Sequence, residues 1–262
     1  MNTHDFGAFR MDLAVDGVAR IVFARPPVNA VSISVYEDLG RLCDAIEAEP
    51  SIRVAVLTAP EDARAWCGGA DLNDFVGMTP ERRKERYAFI NSRVPRLGTL
   101  ERPLIAAING ATIGIGVILA GLCDLRIAAE DATFACPEID YGLVGGGSGL
   151  LAHLNVPQAK IREMYLTGAR FSARELEPTG FFNYVVPRDQ VEAKAMELAR
   201  SIARKSLPAI RARKVASVVE AGQAWIDAYL DCQALSTELV TGHDSAEGVR
   251  AFLEGRSARY SE

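Results

Sequence analysis

Between Pro103 and Asp124 the chain reads PLIAAINGATIGIGVILAGLCD. An apolar run from Leu104 to Ile108 meets an Asn109-Gly110 turn signal, then Gly114 and Gly116, then a second apolar run. That order predicts a buried strand, a tight glycine turn and a buried helix whose first turn is almost bare of side chains. The opening turn of a helix has unpaired N–H groups and a partial positive charge, so it stabilises an anion or a carbonyl oxygen that is gaining negative charge. The chemistry expected here is a ligand touching backbone. Two further glycine clusters, Cys67-Gly68-Gly69-Ala70-Asp71 and Gly142 to Gly149, each read as a loop leading into a helix.

Holding such turns in place takes buried strands and helices. Phe9 to Val15 alternates, and Asp16-Gly17 turns the chain into Val18 to Ala24, which predicts a hairpin. Arg25-Pro26-Pro27 ends that strand. Val35, Leu39, Leu42 and Ile46 then recur at helical spacing behind a candidate N-cap, Ser34, and Val54 to Thr58 is a short apolar strand of the kind buried on both faces. Strand, helix and strand in this order predict a βαβ crossover. Pro60 to Met78 reads as an irregular loop, and Thr79 to Leu97 as a helix whose crowded charges, Glu81 to Arg86, form a solvated face. Leu125 to Ala128 supplies another buried strand, and Thr133 to Ile139 joins the second glycine-rich loop. Beyond residue 188 the pattern is helical over 191–202, 208–219, 224–239 and 245–253. Leu198, Ile202, Val215, Val218, Trp225, Tyr229, Val249 and Phe252 are its inward candidates. Residues 1–188 are therefore expected to form the core and 189–262 a helical appendage.

A chain of 262 residues buries a large core, and a net charge of −5 argues against nucleic acid as a general partner. No run reaches the roughly 18 apolar residues of a membrane span, and the first ten residues contain no apolar core of a targeting sequence, so no membrane partner and a cytoplasmic location are expected. Five scattered cysteines and three dispersed histidines suggest neither a disulfide framework nor a metal site.

Asn109 to Gly116 is also similar to the TGxxxGxG loop of short-chain dehydrogenases, which would make it a dinucleotide site. About 100 residues precede it, whereas that family places the loop after its first strand. None of the seven tyrosines is followed four residues later by the lysine that family needs.

Four segments together resemble the crotonase (enoyl-CoA hydratase/isomerase) superfamily over nearly the whole chain: Arg25-Pro26-Pro27-Val28-Asn29-Ala30, Trp66 to Leu72, Ile105 through Asp124, and Phe134 to Gly142 with Pro137-Glu138. The resemblance implies an α/β, crotonase-like spiral of ββα units with a C-terminal helical trimerisation region, assembled as a homotrimer or dimer of trimers. It implies a coenzyme A thioester as substrate, with no cofactor besides. The thioester oxygen would lie between the backbone N–H groups of Ala70 and Ile115, an oxyanion hole for an enolate, with Glu138 as the proton-transferring base. Arg25, Val28, Ala30, Gly68, Gly69, Asp71, Leu72, Gly114 and Gly146 would contact substrate or CoA, Arg25 with Arg256 and Arg259 meeting phosphate.

Hydratases of the family use a second glutamate, three residues beyond the second oxyanion donor; here Ile118 stands there. One carboxylate can remove a proton and return it two carbons away, so the resemblance favours Δ3 to Δ2 enoyl-CoA isomerisation. A divergent hydratase with Asp140 or an ordered water as the second group, a thioester or β-diketone hydrolase, and a non-catalytic acyl-CoA-binding paralogue are the alternatives. Cys67 and Tyr141 are further candidates to reach the pocket. Gly146 stands where dienoyl isomerases place an aspartate, and Asn73 where the family's phosphate-binding lysine is usual.

Overall fold

The computed structural model describes residues 2–14 and 16–260; Met1, Ser261, Glu262 and Val15, assigned above to the first hairpin, lie outside them. In chain order the strands are β1 (Asn2–Asp5), β2 (Phe9–Leu13), β3 (Val18–Phe23), β4 (Val54–Thr58), β5 (Ala65–Cys67), β6 (Leu104–Ile108), β7 (Ala111–Ile113), β8 (Leu125–Ala129), β9 (Thr133–Ala135), β10 (Phe171–Ser172) and β11 (Tyr184–Val186). The expected hairpin is β2 antiparallel to β3, with Phe9 opposite Phe23. From β3 the larger sheet runs parallel through β4, β6, β8 and β11. Every residue of β4 and β6 is buried, as near-continuous apolar sequences, broken only by Thr58, require.

The predicted crossover from β3 to β4 is the helix Ile33–Ala48, which buries Val35, Leu39, Leu42 and Ile46. Its N-cap is Ser32; Ser34 lies inside the first turn, with its Oγ 2.9 Å from that of Ser32. The helix Val191–Ala203 packs across β4, β6 and β8, burying Val191, Ala195, Ala199 and Ala203 at four-residue spacing. Small residues on that stripe allow close approach.

A second sheet, ordered β10-β9-β7-β5, has strands of only two or three residues. β5, β7 and β9 are mutually parallel. The sequence reading takes these stretches for loops, because a three-residue strand has no periodicity to detect. Three times the chain passes from the large sheet to the small one (β4 to β5, β6 to β7, β8 to β9) and then into helix or 3-10 turn. This is the ββα spiral of the crotonase fold.

The C-terminal helices span Val191–Ala203, Leu207–Ala221, Ala224–Leu239 and His243–Leu253. Tyr229 and Val249 are buried, but Val215, Val218 and Phe252 are exposed, against expectation. The helix Leu207–Ala221 buries one residue, Lys214, whose ammonium holds both carboxylate oxygens of Asp124 at 2.8 and 2.9 Å. An ion pair rather than an apolar stripe ties that helix to the body, which leaves its valines on the surface.

Candidate active site

Because β5, β7 and β9 are parallel neighbours, their C-terminal ends open side by side, and ligand sites in parallel sheets form at such ends. β5 delivers Gly68-Gly69-Ala70, β7 delivers Gly114-Ile115, and β9 delivers Cys136-Pro137-Glu138. Gly114 donates its N–H to Ala135 O at 2.9 Å, joining the second loop to the third. Ala70 is held against the loop that follows β3: Val31 donates to Gly69 O at 2.7 Å, and Asp71 donates to Val31 O at 3.0 Å. Asn29, with φ of 53°, locks that loop by donating to Ala65 O at 2.9 Å and accepting from Arg25 N at 2.7 Å.

The helix Ile115–Leu122 is buried at all eight residues, as its sequence predicts. Its N-cap, Gly114, has φ 54° and ψ −114°, a backbone state that glycine adopts readily. Gly116 is required for another reason: a Cβ there would lie 2.9 Å from the Cβ of Cys67. Neither the Ala70 nor the Ile115 N–H has a hydrogen-bond partner among the described residues.

Glu138 sits in the 3-10 turn Pro137–Tyr141. Its Oε1 lies 2.8 Å from the Cβ that Gly114 lacks, and its Oε2 the same distance from the Cβ that Gly145 lacks. Oε2 is enclosed with no hydrogen-bond partner. Burial pushes the carboxyl up to about 7, opposed by a hydrogen bond from its own backbone N–H. A group with that pKa both accepts and returns a proton near neutral pH.

A cavity of ≈ 470 Å³ opens here, bringing together Ala70, Ile115 and Glu138 with Arg25, Val28, Ala30, Gly68, Gly69, Asp71, Leu72, Gly114, Ile118 and Gly146. Tyr141 and Asn73 also line it. Asp71 pairs with Arg25 at 2.8 Å, so among the described residues Glu138 is the one carboxylate lining the cavity without a cationic partner. Ile118 presents an aliphatic wall one turn beyond Ile115.

Asp140 does not reach the cavity. Two residues along a 3-10 turn point it about 120° away from Glu138, and its carboxylate lies against Gly168 instead. Cys67 is also excluded: its thiol lies beneath Gly116, and burial pushes its pKa up to about 12. Arg256 is engaged by Glu247 and Glu254, and the Arg259 N–H also donates to Glu247. The glycines at 145–147 make room for side chains as well as substrate, since a Cβ at Gly146 would lie 2.6 Å from the Tyr229 ring and one at Gly147 2.5 Å from the Tyr165 hydroxyl. Among the described residues no three His, Cys, Asp or Glu side chains form a metal-holding group.

Among the lining residues that the sequence reading misses are Arg83 and Arg86. It places them on a solvated face, yet both are buried, on the helix Pro80–Asn91. The available signal is their i, i+3, i+7 spacing with Ile90, which sets one face of that helix apart from Glu81, Arg82, Lys84 and Glu85.

Comparison with known proteins matches this architecture. The family model described as Enoyl-CoA hydratase/isomerase matches residues 14–262. Mevalonyl-coenzyme A hydratase sidH of Aspergillus fumigatus is 31% identical over 246 residues, covering 88% of this chain and 86% of that protein. The putative enoyl-CoA hydratase/isomerase YngF of Bacillus subtilis is 32% identical over 260 residues, covering 93% and 94%. The crystal structure of an enoyl-CoA hydratase from Bacillus anthracis superposes with a TM-score of 0.75 at 31% identity, covering 97% of this chain and 99% of that one.

Proposed function

The chain belongs to the enoyl-CoA hydratase/isomerase (crotonase) superfamily and is an enzyme of acyl-CoA thioesters, and on that premise we propose that it isomerises enoyl-CoA from Δ3 to Δ2. The thioester oxygen accepts the N–H groups of Ala70 and Ile115. Glu138 removes a proton from the carbon beside the carbonyl, the two donors and the helix behind Ile115 stabilise the dienolate, and Glu138 returns the proton two carbons further on. One such donor is worth ~10²- to 10³-fold in rate. The observation that carries this reading is that, among the described residues, Glu138 is the one carboxylate without a cationic partner in a cavity also lined by aliphatic Ile118. Adding water calls for two groups to hold and activate it.

In this reading Arg25, Val28, Ala30, Gly68, Gly69, Asp71, Leu72 and Gly146 contact the substrate, and CoA enters as part of it with no separate cofactor. Residues 189–262 form the oligomerisation region of a trimer or dimer of trimers, supported by exposed Val215, Val219, Leu235 and Leu239 on its helices. Five free thiols fit the reducing cytoplasm. Among the described residues no helix is long and apolar enough to cross a membrane.

The test is to follow a 3-enoyl-CoA and a 2-enoyl-CoA separately by conjugated-thioester absorbance and product chromatography. Isomerisation without hydration, lost in Glu138→Gln, supports the reading. Hydration at ordinary enzyme rates overturns it in favour of a divergent hydratase, the second reading, which the name of the Aspergillus fumigatus relative favours.

A further inference from the structure

Arg83 and Arg86 line the same cavity as Glu138, with relative exposures of 4% and 6%. They are clamped: the Phe75 ring lies 4.6 Å from one guanidinium and 5.0 Å from the other. Arg86 Nη1 donates to Asp74 Oδ2 at 2.7 Å. Arg83 has no carboxylate partner among the described residues; its Nη2 donates to the Tyr87 hydroxyl at 2.7 Å and Ser236 Oγ at 3.0 Å, both neutral. Two buried cations thus share one anion.

Three of their donor nitrogens, Arg83 Nε, Arg83 Nη1 and Arg86 Nη2, are enclosed without a hydrogen-bond partner. An uncompensated buried charge with unmet donors is strongly unfavourable, and a bound anion relieves both deficits at once. Guanidinium donors are shaped for the two oxygens of a carboxylate, which accept them in pairs. Tyr229 links this cluster to the reacting end of the cavity. Its ring packs on Gly146, in the loop that covers Glu138, while its helix also carries Ser236, the partner of Arg83. The two arginines therefore share with Glu138 the cavity that the acyl group would occupy in the acyl-CoA reading.

We propose that the substrate is a CoA thioester whose acyl group carries a free carboxylate, bound by Arg83 and Arg86 while the thioester oxygen lies at Ala70 and Ile115. The proposal rests on the acyl-CoA reading of this cavity and is independent of whether the reaction is isomerisation or hydration. It deepens that reading by naming the substrate as the monothioester of a dicarboxylic acid.

The test is calorimetric titration of the full chain with unreactive saturated pairs, glutaryl-CoA against pentanoyl-CoA and adipyl-CoA against hexanoyl-CoA, with free CoA alongside. At least one dicarboxylic thioester is expected to bind about 10-fold or more tighter than its neutral partner, the scale of a charge-assisted hydrogen-bonded contact. In Arg83→Met that ratio is expected to fall to within about threefold, with free CoA affinity retained as evidence of folding. Arg86→Met gives a second reading if the first variant does not fold, and the wild-type comparison needs no variant. Equal binding within each pair overturns the proposal. So does a loss shared by free CoA, which would assign the arginines to CoA phosphates. Binding of neither CoA nor any thioester would instead overturn the acyl-CoA reading beneath it.

Discussion

A β-carbon on Gly114 would lie 2.8 Å from Oε1 of Glu138. Glu138, the proposed base, and Ile115, the proposed second oxyanion donor, are neighbours only because residue 114 has no side chain. Gly114→Ala also places alanine at φ 54° and ψ −114°, a region non-glycine residues rarely occupy, which costs about 1 to 3 kcal/mol. The variant is expected to fold with a Tm a few degrees lower and to lose about 100-fold or more in kcat, because the carboxylate is displaced and the Ile115 N–H re-aimed. Steady-state kinetics beside a melting curve separates the two effects; wild-type kcat would sink the assignment.

Glu138 makes stability depend on pH. Its folded pKa, raised to about 7 from 4.5, means that between these values the folded chain binds more protons than the unfolded one. Stability therefore falls as pH rises from 4.5 to 7 and is flat for this group beyond, a loss of at most roughly 3 kcal/mol. Glu138→Gln is expected to remove that slope and to be the more stable protein at pH 8. In wild type, kcat/KM should rise with pH through about 7 as the base ionises. Denaturant titrations at several pH values check the first expectation, pH–rate profiles the second.

Ile118→Glu puts a carboxylate where the resemblance places the hydratases' further glutamate. The wall there is buried at 6% exposure, so the variant should be less stable by about 2 kcal/mol. It is expected to hydrate a 2-enoyl-CoA about 10-fold or more faster than wild type. Chromatography of the 3-hydroxyacyl-CoA product measures this. No gain would show that residue 118 is not what separates the two reactions.

Arg126 is buried and caps the far end of the site helix, donating to Cys123 O at 2.5 Å and to Phe181 O at 2.6 Å. Arg126→Met leaves these carbonyls without their donor, and a loss of about 2 to 3 kcal/mol, roughly 5 to 10 °C in Tm, is expected. Calorimetry decides it; an unchanged Tm would remove the cap from the account of stability.

The large sheet was legible because β4 and β6 carry apolar runs of four and five residues, and the C-terminal helices because their periods are long. Glu138, Ala70 and Ile115, which the structure brings to one cavity, were singled out through the order of four motifs. What sequence reading missed is the scaffold between them: β5, β7 and β9 are too short to show alternation, and parallel pairing tens of residues apart leaves no local mark. Asp140 failed for geometric reasons, since neighbours in sequence diverge around a 3-10 turn. Arg83 and Arg86 were hidden because charge usually marks a wet surface, and here burial against Phe75 overrides it.

The pairing of β5 with β7 and of β7 with β9 also orders events in time. Cys67 meets Thr112, and Thr112 meets Phe134, so Ala70, Ile115 and Glu138 cannot converge until two distant closures are complete. Contacts of that kind form slowly. A refolding chain should regain its helical circular dichroism before it regains turnover, and an early compact species would hold the right residues with no place yet for a thioester.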